Sequence, residues 1–231
     1  MIKLKNLQKS FNTIKAIDNL CLEVPSGKIY GLLGSNGAGK STTLNLILGF
    51  LQADSGTIEI FDDDKKLKNE KINIGYIPEN VNLYPYLSGI ENLDYFCKIG
   101  GLNYSTEKLK KLLTDCGLNF DDHEKQTSEY SKGMRQKVGI AIALAKDSSI
   151  YLLDEPASGL DPLASSELSE TLKKLALKGA TILMASHDIF RLRETCDKIG
   201  ILKKGKLIKE IKPKHVTSNQ IEEIYIKFMK D

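Results

Sequence analysis

The sequence predicts an α/β fold with a mostly parallel core sheet, an antiparallel β annex beside it and an inserted, mostly helical lobe. Three observations lead there. Residues 34–41 read Gly34-Ser35-Asn36-Gly37-Ala38-Gly39-Lys40-Ser41, between an apolar run (Ile29 to Leu33) and a segment with helical apolar spacing (Leu44, Ile47, Leu48, Leu51). Two more short apolar runs, Ile150 to Leu153 and Thr181 to Ala185, alternate with helical segments, as strands of a parallel sheet do. From about Pro78 the texture changes, and three helical spacings follow one another with no strand between them.

Element by element, the start reads as strands. Ile2, Leu4 and Leu7, then Ile14, Ala16, Ile17, Leu20, Leu22 and Val24, alternate roughly with polar residues. Pro25-Ser26-Gly27 is a turn, Ile29 to Leu33 a buried strand, and the first helix follows the glycine-rich loop. Ser55-Gly56 turns into a strand over Thr57 to Phe61; Asp62-Asp63-Asp64-Lys65-Lys66 reads as a polar loop and Ile72 to Ile77 as a short strand. Ser88 to Phe96, Ser105 to Cys116 and Ser131 to Ala145 are helices, separated by glycine breaks at Gly100-Gly101 and Gly117. The core resumes at Ile150 to Leu153. A helix from Leu163 to Leu177 ends near Lys178-Gly179, a strand covers Thr181 to Ala185, and a helix lies around Ile189 to Thr195. A hairpin-like pair around Lys204-Gly205 and an amphipathic helix (Ile221, Ile224, Tyr225, Phe228, Met229) complete the reading.

Bulk properties narrow the class. At 231 residues the chain can bury one sizeable core, or a core with a smaller lobe. Its 33 basic and 30 acidic residues are mixed and sum to +3, with no dominant basic patch, so a nucleic-acid partner is not expected. Cys21, Cys97, Cys116 and Cys196 form no C-x-x-C pair, which argues against a zinc site or a disulfide framework and for reduced thiols in a cytosol. The N-terminus alternates apolar and charged residues instead of showing the apolar centre of a signal peptide. No run approaches the roughly 18 apolar residues of a membrane span, so the expectation is a soluble protein whose membrane role, if any, comes through a partner.

The strongest chemical signal is the loop itself. G-x-x-x-x-G-K-S between a strand and a helix is a phosphate-binding loop: glycines let the backbone curl so that successive N–H groups point at phosphate oxygens, and the helix N-terminus adds partial positive charge. Lys40 can reach the β- and γ-phosphates and Ser41 can ligate Mg²⁺. The chain is therefore expected to be a P-loop NTPase. Ile150 to Leu153 runs into Asp154 and Glu155, a strand tip with two carboxylates. Asp154 is assigned to the metal and Glu155 to the attacking water. By itself, such a tip before Pro156 is also an ordinary helix entry. His187 follows the next apolar strand and should lie at the same sheet edge, where an imidazole can donate to a γ-phosphate or bond the catalytic carboxylate. Ser131 and Gly133 open the apolar helix through Leu144. They form a plain N-cap, or a second anion site at that helix end.

Taken in order, the phosphate loop, the acidic loop at Glu79, the Ser-x-Gly helix start, the Asp-Glu strand, Ser158-Gly159-Leu160-Asp161 and His187 resemble the nucleotide-binding subunit of ATP-binding cassette (ABC) transporters over essentially the whole chain. The resemblance implies one ABC ATPase domain over 1–231, with core and annex in 1–77 and 148–231 and the helical lobe in about 78–147. It makes Gly34 to Thr42 the Walker A loop, Ile150 to Asp154 Walker B with Glu155 as catalytic carboxylate, Ser158 to Asp161 the D-loop and His187 the switch histidine. Phe11 stands where the family stacks an aromatic on adenine. Tyr130-Ser131-Lys132-Gly133-Met134 sits at the signature, usually Leu-Ser-Gly-Gly-Gln. Ser131 and Gly133, which touch the γ-phosphate across the family's dimer, are retained. Glu79 replaces the glutamine that helps ligate Mg²⁺ and senses the membrane partner. With Pro-Glu there, the Tyr-Ser-Lys-Gly-Met signature is similar to the ABC-2 type exporter branch.

The resemblance further implies ATP and Mg²⁺ as cofactors, a head-to-tail pair with a second copy or a homologous ATPase subunit, and a separate transmembrane permease subunit. The site would lie at the cytoplasmic face of the cell membrane. The permease would dock in a groove near Glu79 to Tyr86. The rival reading is a soluble ABC-type ATPase acting on nucleic acid or ribosomes, disfavoured by a single cassette and the lack of a heptad run.

Overall fold

Alternate strand residues feed opposite faces of one sheet, and the rest of the architecture follows. In the computed structural model, which describes residues 1–62, 65–66 and 73–230, the core sheet is formed by β3 (Ile29–Leu33), β6 (Ile74–Ile77), β7 (Ile150–Asp154), β8 (Thr181–Ser186), β9 (Lys198–Lys203) and β10 (Lys206–Ile211). Its order is β10-β9-β3-β8-β7-β6. All neighbours from β9 to β6 are parallel, and β10 closes one edge as an antiparallel hairpin partner of β9. Both faces of the parallel strands are covered, which is why they read as continuous apolar runs.

Tyr30, Leu32, Ile150, Leu152, Leu183 and Ala185 point to the face packed by α1 (Lys40–Ile47) and the annex. Their neighbours Ile29, Leu33, Tyr151, Leu153, Ile182 and Met184 point to the opposite face, against α5 (Pro162–Leu177), α6 (Ile189–Thr195) and α7 (Ser218–Lys230). Gly31 lies under α6, where a Cβ would stand 2.7 Å from Leu192 Cδ2 and 2.8 Å from Cys196 Sγ. No helix among the described residues is long and apolar enough to cross a membrane.

The annex is an antiparallel sheet of order β2-β1-β4-β5, with β1 at Ile2–Phe11, β2 at Ile14–Val24, β4 at Ser55–Asp62 and β5 at Lys65–Lys66. One expectation needs correcting here. The stretch read as a polar loop from Asp62 to Lys66 contains the end of β4 and the two residues of β5, which pair with Phe61 and Asp62. Backbone pairing overrode a local preference set by charge. Asp63, Asp64 and Ile72 lie outside the described residues; the strand expected from Ile72 is described from Ile74.

Three helices form the lobe: α2 (Gly89–Ile99), α3 (Thr106–Asp115) and α4 (Lys132–Ala145). Each starts where a serine can cap it. Ser88 forms a reciprocal capping box with Glu91; Ser105 accepts from the Lys108 amide and Ser131 from the Met134 amide. Leu93, Cys97, Leu109, Leu113, Val138 and Ala141 make a separate apolar cluster between them. Buried Gln136 on α4 donates to the Pro156 carbonyl at 3.1 Å, tying the lobe to the end of β7.

Candidate active site

Strand register brings the chemistry to one edge. Leu33 is level with Ser186, Ala185 with Asp154, and Leu153 with Ile77. The loop after β3, the carboxylates ending β7, the polar end of β8 and Glu79 just past β6 therefore meet at the carboxyl edge of the parallel strands, where ligands bind in open α/β sheets. A cavity of about 330 Å³ there is lined by Ala16, Ser35, Asn36, Gly37, Gly39, Lys40, Ser41, Thr42, Glu79, Asp154, Glu155 and His187.

The loop needs its glycines. Gly39, the residue before α1, has φ +106°, and a Cβ on it would stand 2.6 Å from the Ala16 carbonyl oxygen. No side chain caps the first turn of α1, so its amides and positive dipole end face the cavity. Gly34 and Ala38 do not line the cavity. Gly34 is pressed against the Leu202 carbonyl oxygen, 2.8 Å from where a Cβ would be, and the Ala38 amide donates to the Ser35 carbonyl at 3.1 Å. Those two residues build the loop and leave its mouth to the others.

Lys40 is buried, with its ammonium donating to the carbonyls of Gly34 at 2.7 Å and Ser35 at 3.3 Å, and 3.6 Å from Glu155 Oε1. Glu155 is held from several sides. Its Oε2 accepts from Ser186 Oγ at 2.8 Å, its Oε1 lies 2.8 Å from His187 Nδ1, and its amide donates to the Ala185 carbonyl at 2.9 Å. Its φ is +46°, the left-handed region, which costs a non-glycine residue on the order of 1–3 kcal/mol and persists only where surroundings over-determine it. The arrangement aims a carboxylate into the cavity, with the exposed imidazole of His187 at its mouth.

Asp154 sits deeper. Burial pushes its carboxyl above the usual 3.8, and the charges of Glu155 and Glu79 push the same way; a hydrogen bond from Ser41 and the charge of Lys40 oppose them. Its Oδ1 is buried without a hydrogen-bond partner. An oxygen of that kind beside a serine hydroxyl suits a hard divalent cation. Among the described residues no cluster of three or more His, Cys, Asp or Glu side chains could hold a metal alone. Phosphate or water oxygens would have to complete such a shell.

Three of the sequence-predicted residues lie elsewhere. Phe11 is half-exposed at the tip of the β1–β2 hairpin, with Lys9 Nζ 5.6 Å from its ring centroid, and does not line the cavity. Ser131 and Gly133 open α4 away from the cavity, beside the loop through Gly159. Conversely, the sequence reading missed Ser186, whose hydroxyl anchors Glu155. Its one signal was a polar residue ending an apolar strand immediately before His187. Ala16, which faces Gly39, carried no signal.

Residues 17–158 match the family model described as ABC transporter. The chain is 35% identical to the lantibiotic transport ATP-binding protein SrtF of Streptococcus pyogenes, over 97% of this chain and 96% of that protein. It is 36% identical to the bacitracin transport ATP-binding protein BcrA of Enterococcus faecalis, over 91% of this chain and 69% of that protein. Its fold is similar to that of a dimeric ATP-binding cassette solved in a post-hydrolysis state with ADP and Pi. The TM-score is 0.82 at 29% identity, covering 92% of this chain and 99% of that one. The family model and these relatives make this protein a member of the ABC transporter family, an ATP-binding and ATP-hydrolysing cassette.

Proposed function

We propose that the chain is the ATPase subunit of an exporter and works as a head-to-tail pair that drives a separate membrane subunit. The observation that carries the catalytic half of this reading is Glu155. It is a buried carboxylate locked by Ser186 and His187 at the lip of the phosphate loop. In the proposal, loop amides of 35–42 and Lys40 take the phosphates, and Glu155 orients the attacking water and accepts its proton. His187 donates toward the γ-phosphate. Ser41 and Asp154, with Glu79 nearby, would hold Mg²⁺, which supplies charge neutralisation on the phosphates. Ser131 and Gly133, outside this cavity, would close the site on a second copy or a homologous ATPase subunit, so that ATP completes the interface.

Export is supported by the exporter-like signature around Ser131 and by relatives named for lantibiotic and bacitracin transport. Docking of a permease is supported by an exposed aromatic surface formed by the segment that follows Glu79 in the chain together with α2. Tyr86 is 84% exposed, and Tyr84 and Tyr95 stack edge-on at 4.9 Å. Patches of this kind mark partner surfaces. The cassette would then sit at the cytoplasmic face of the cell membrane. Phe11 is proposed to stack on adenine. Phe11→Ala should therefore weaken ATP binding by about 1 kcal/mol, roughly fivefold. Calorimetry that finds affinity unchanged would leave Phe11 as a hairpin-tip residue.

The deciding experiment is affinity purification of a tagged Glu155→Gln form from detergent-solubilised native cells with ATP present. Co-recovery of a polytopic membrane protein in stoichiometric amount is the expected result. Recovery of ribosomes, of nucleic acid or of the cassette alone would sink the exporter reading.

A further inference from the structure

The turn that carries Glu155 is gripped from outside by a residue of the helical lobe. The Ser158 amide donates to the Glu155 carbonyl at 2.9 Å, closing the turn from 155 to 158. Lys132, the first residue of α4, reaches its far corner: Lys132 Nζ donates to Ser158 Oγ at 2.7 Å. Its aliphatic stem covers Gly159, whose φ is +83°; a Cβ there would stand 3.0 Å from Lys132 Cγ. Gly133 beside it leaves no gap, since its own Cβ would be 2.5 Å from the Gly159 carbonyl oxygen. The start of α4 and the Glu155 turn are thus in close contact. One long, exposed side chain is ordered across that contact onto a neutral hydroxyl.

Ordering a lysine costs side-chain entropy that an exposed hydrogen bond scarcely returns, so fold stability gives little reason for this link. Glu155 supplies one. Its left-handed backbone persists only while its neighbours fix it, and the turn that Lys132 holds begins at Glu155 itself. On the proposed paired site, from which this argument starts, the same α4 start also presents Ser131 and Gly133 to the partner's nucleotide. A rigid link between Lys132 and Ser158 would fix the distance between a chain's own carboxylate and the helix end it lends to the other site.

We propose that Lys132 is a positioning residue for ATP hydrolysis, acting through Ser158 to hold Glu155 in register with the start of α4. The test is a double-mutant cycle on the full chain with Mg·ATP: Lys132→Ala, Ser158→Ala, the pair together, and Lys132→Arg. Each single alanine variant should lower kcat about tenfold, as misplacement of a reacting group does. KM for ATP should stay within about twofold, since binding contacts are untouched. The double variant should be no slower than either single one, Lys132→Arg should recover most of the rate, and melting temperatures should not track the loss of rate. Wild-type kcat in either alanine variant overturns the proposal, and so do losses that multiply in the double variant. Lys132→Ala slow with Ser158→Ala unaffected would mean that the ammonium acts directly on an anion. A parallel Ser131→Glu variant separates the two readings. If it hydrolyses ATP at the wild-type rate, the paired site is wrong whatever the cycle gives. If it is dead while the cycle shows no coupling, the paired site stands and the Lys132 link falls.

Discussion

Glu155→Gln should lower ATP turnover by about 10²–10⁴-fold, the usual contribution of a positioned general base, while ATP still binds. The substitution keeps the shape and one carbonyl oxygen, so Ser186 Oγ retains an acceptor. What disappears is the ability to take a proton from water at the edge of the phosphate loop. Lys40 lies 3.6 Å from the same carboxylate, and removing the negative charge there favours the approach of a γ-phosphate. Binding without hydrolysis should then hold two chains together. Gel filtration with light scattering is expected to show a dimer with ATP and a monomer with ADP. Wild-type turnover would take Glu155 out of its role, and an ATP-loaded variant that stays monomeric would take the head-to-tail pair out of the mechanism.

Much of this arrangement is legible because its signals are local. Ile29 to Leu33 had to be a strand, being a five-residue apolar run between a Pro-Ser-Gly turn and a glycine-rich loop, and β3 spans those residues. Ser88, Ser105 and Ser131 announce three helices by the chemistry of capping, and all three serve as caps. The cavity residues of the loop, with Glu79, Asp154, Glu155 and His187, come together because parallel strands of similar length end level.

What stayed hidden depends on register and on contacts between distant segments. Ser186 looks like any strand-end serine until the β7–β8 register places it beside Glu155. The left-handed backbone of Glu155 carries no composition signal, since such strain is imposed by surroundings. The link from Lys132 to Ser158 joins residues 26 positions apart and has no periodicity behind it. Lys65 and Lys66 look like loop residues because their pairing with Phe61 and Asp62 comes from the backbone.

Lys40→Ala should cost at least about a hundredfold in ATP affinity. Hydrogen bonds to charged groups contribute about 1.5–3 kcal/mol each, and on the proposed site the Lys40 ammonium would serve both the β- and the γ-phosphate. The structure gives this side chain little other purpose. It is 6% exposed, satisfied by two carbonyls of the loop it springs from, with Glu155 as its counter-ion. An ammonium desolvated to that degree is expensive to keep, and a phosphate-binding role accounts for keeping it. The loss should scale with phosphate number: severe for ATP, smaller for ADP and near nil for AMP, whose phosphate lies beyond its reach. Lys40→Arg should not rescue binding, because a planar guanidinium cannot replace a compact point charge inside a loop whose Gly39 lies within 2.6 Å of backbone oxygen at the Cβ position. Titration calorimetry with the three nucleotides checks both points. Equal losses for AMP and ATP would mean that the substitution collapsed the loop. Undiminished ATP affinity would remove Lys40 from the phosphate site.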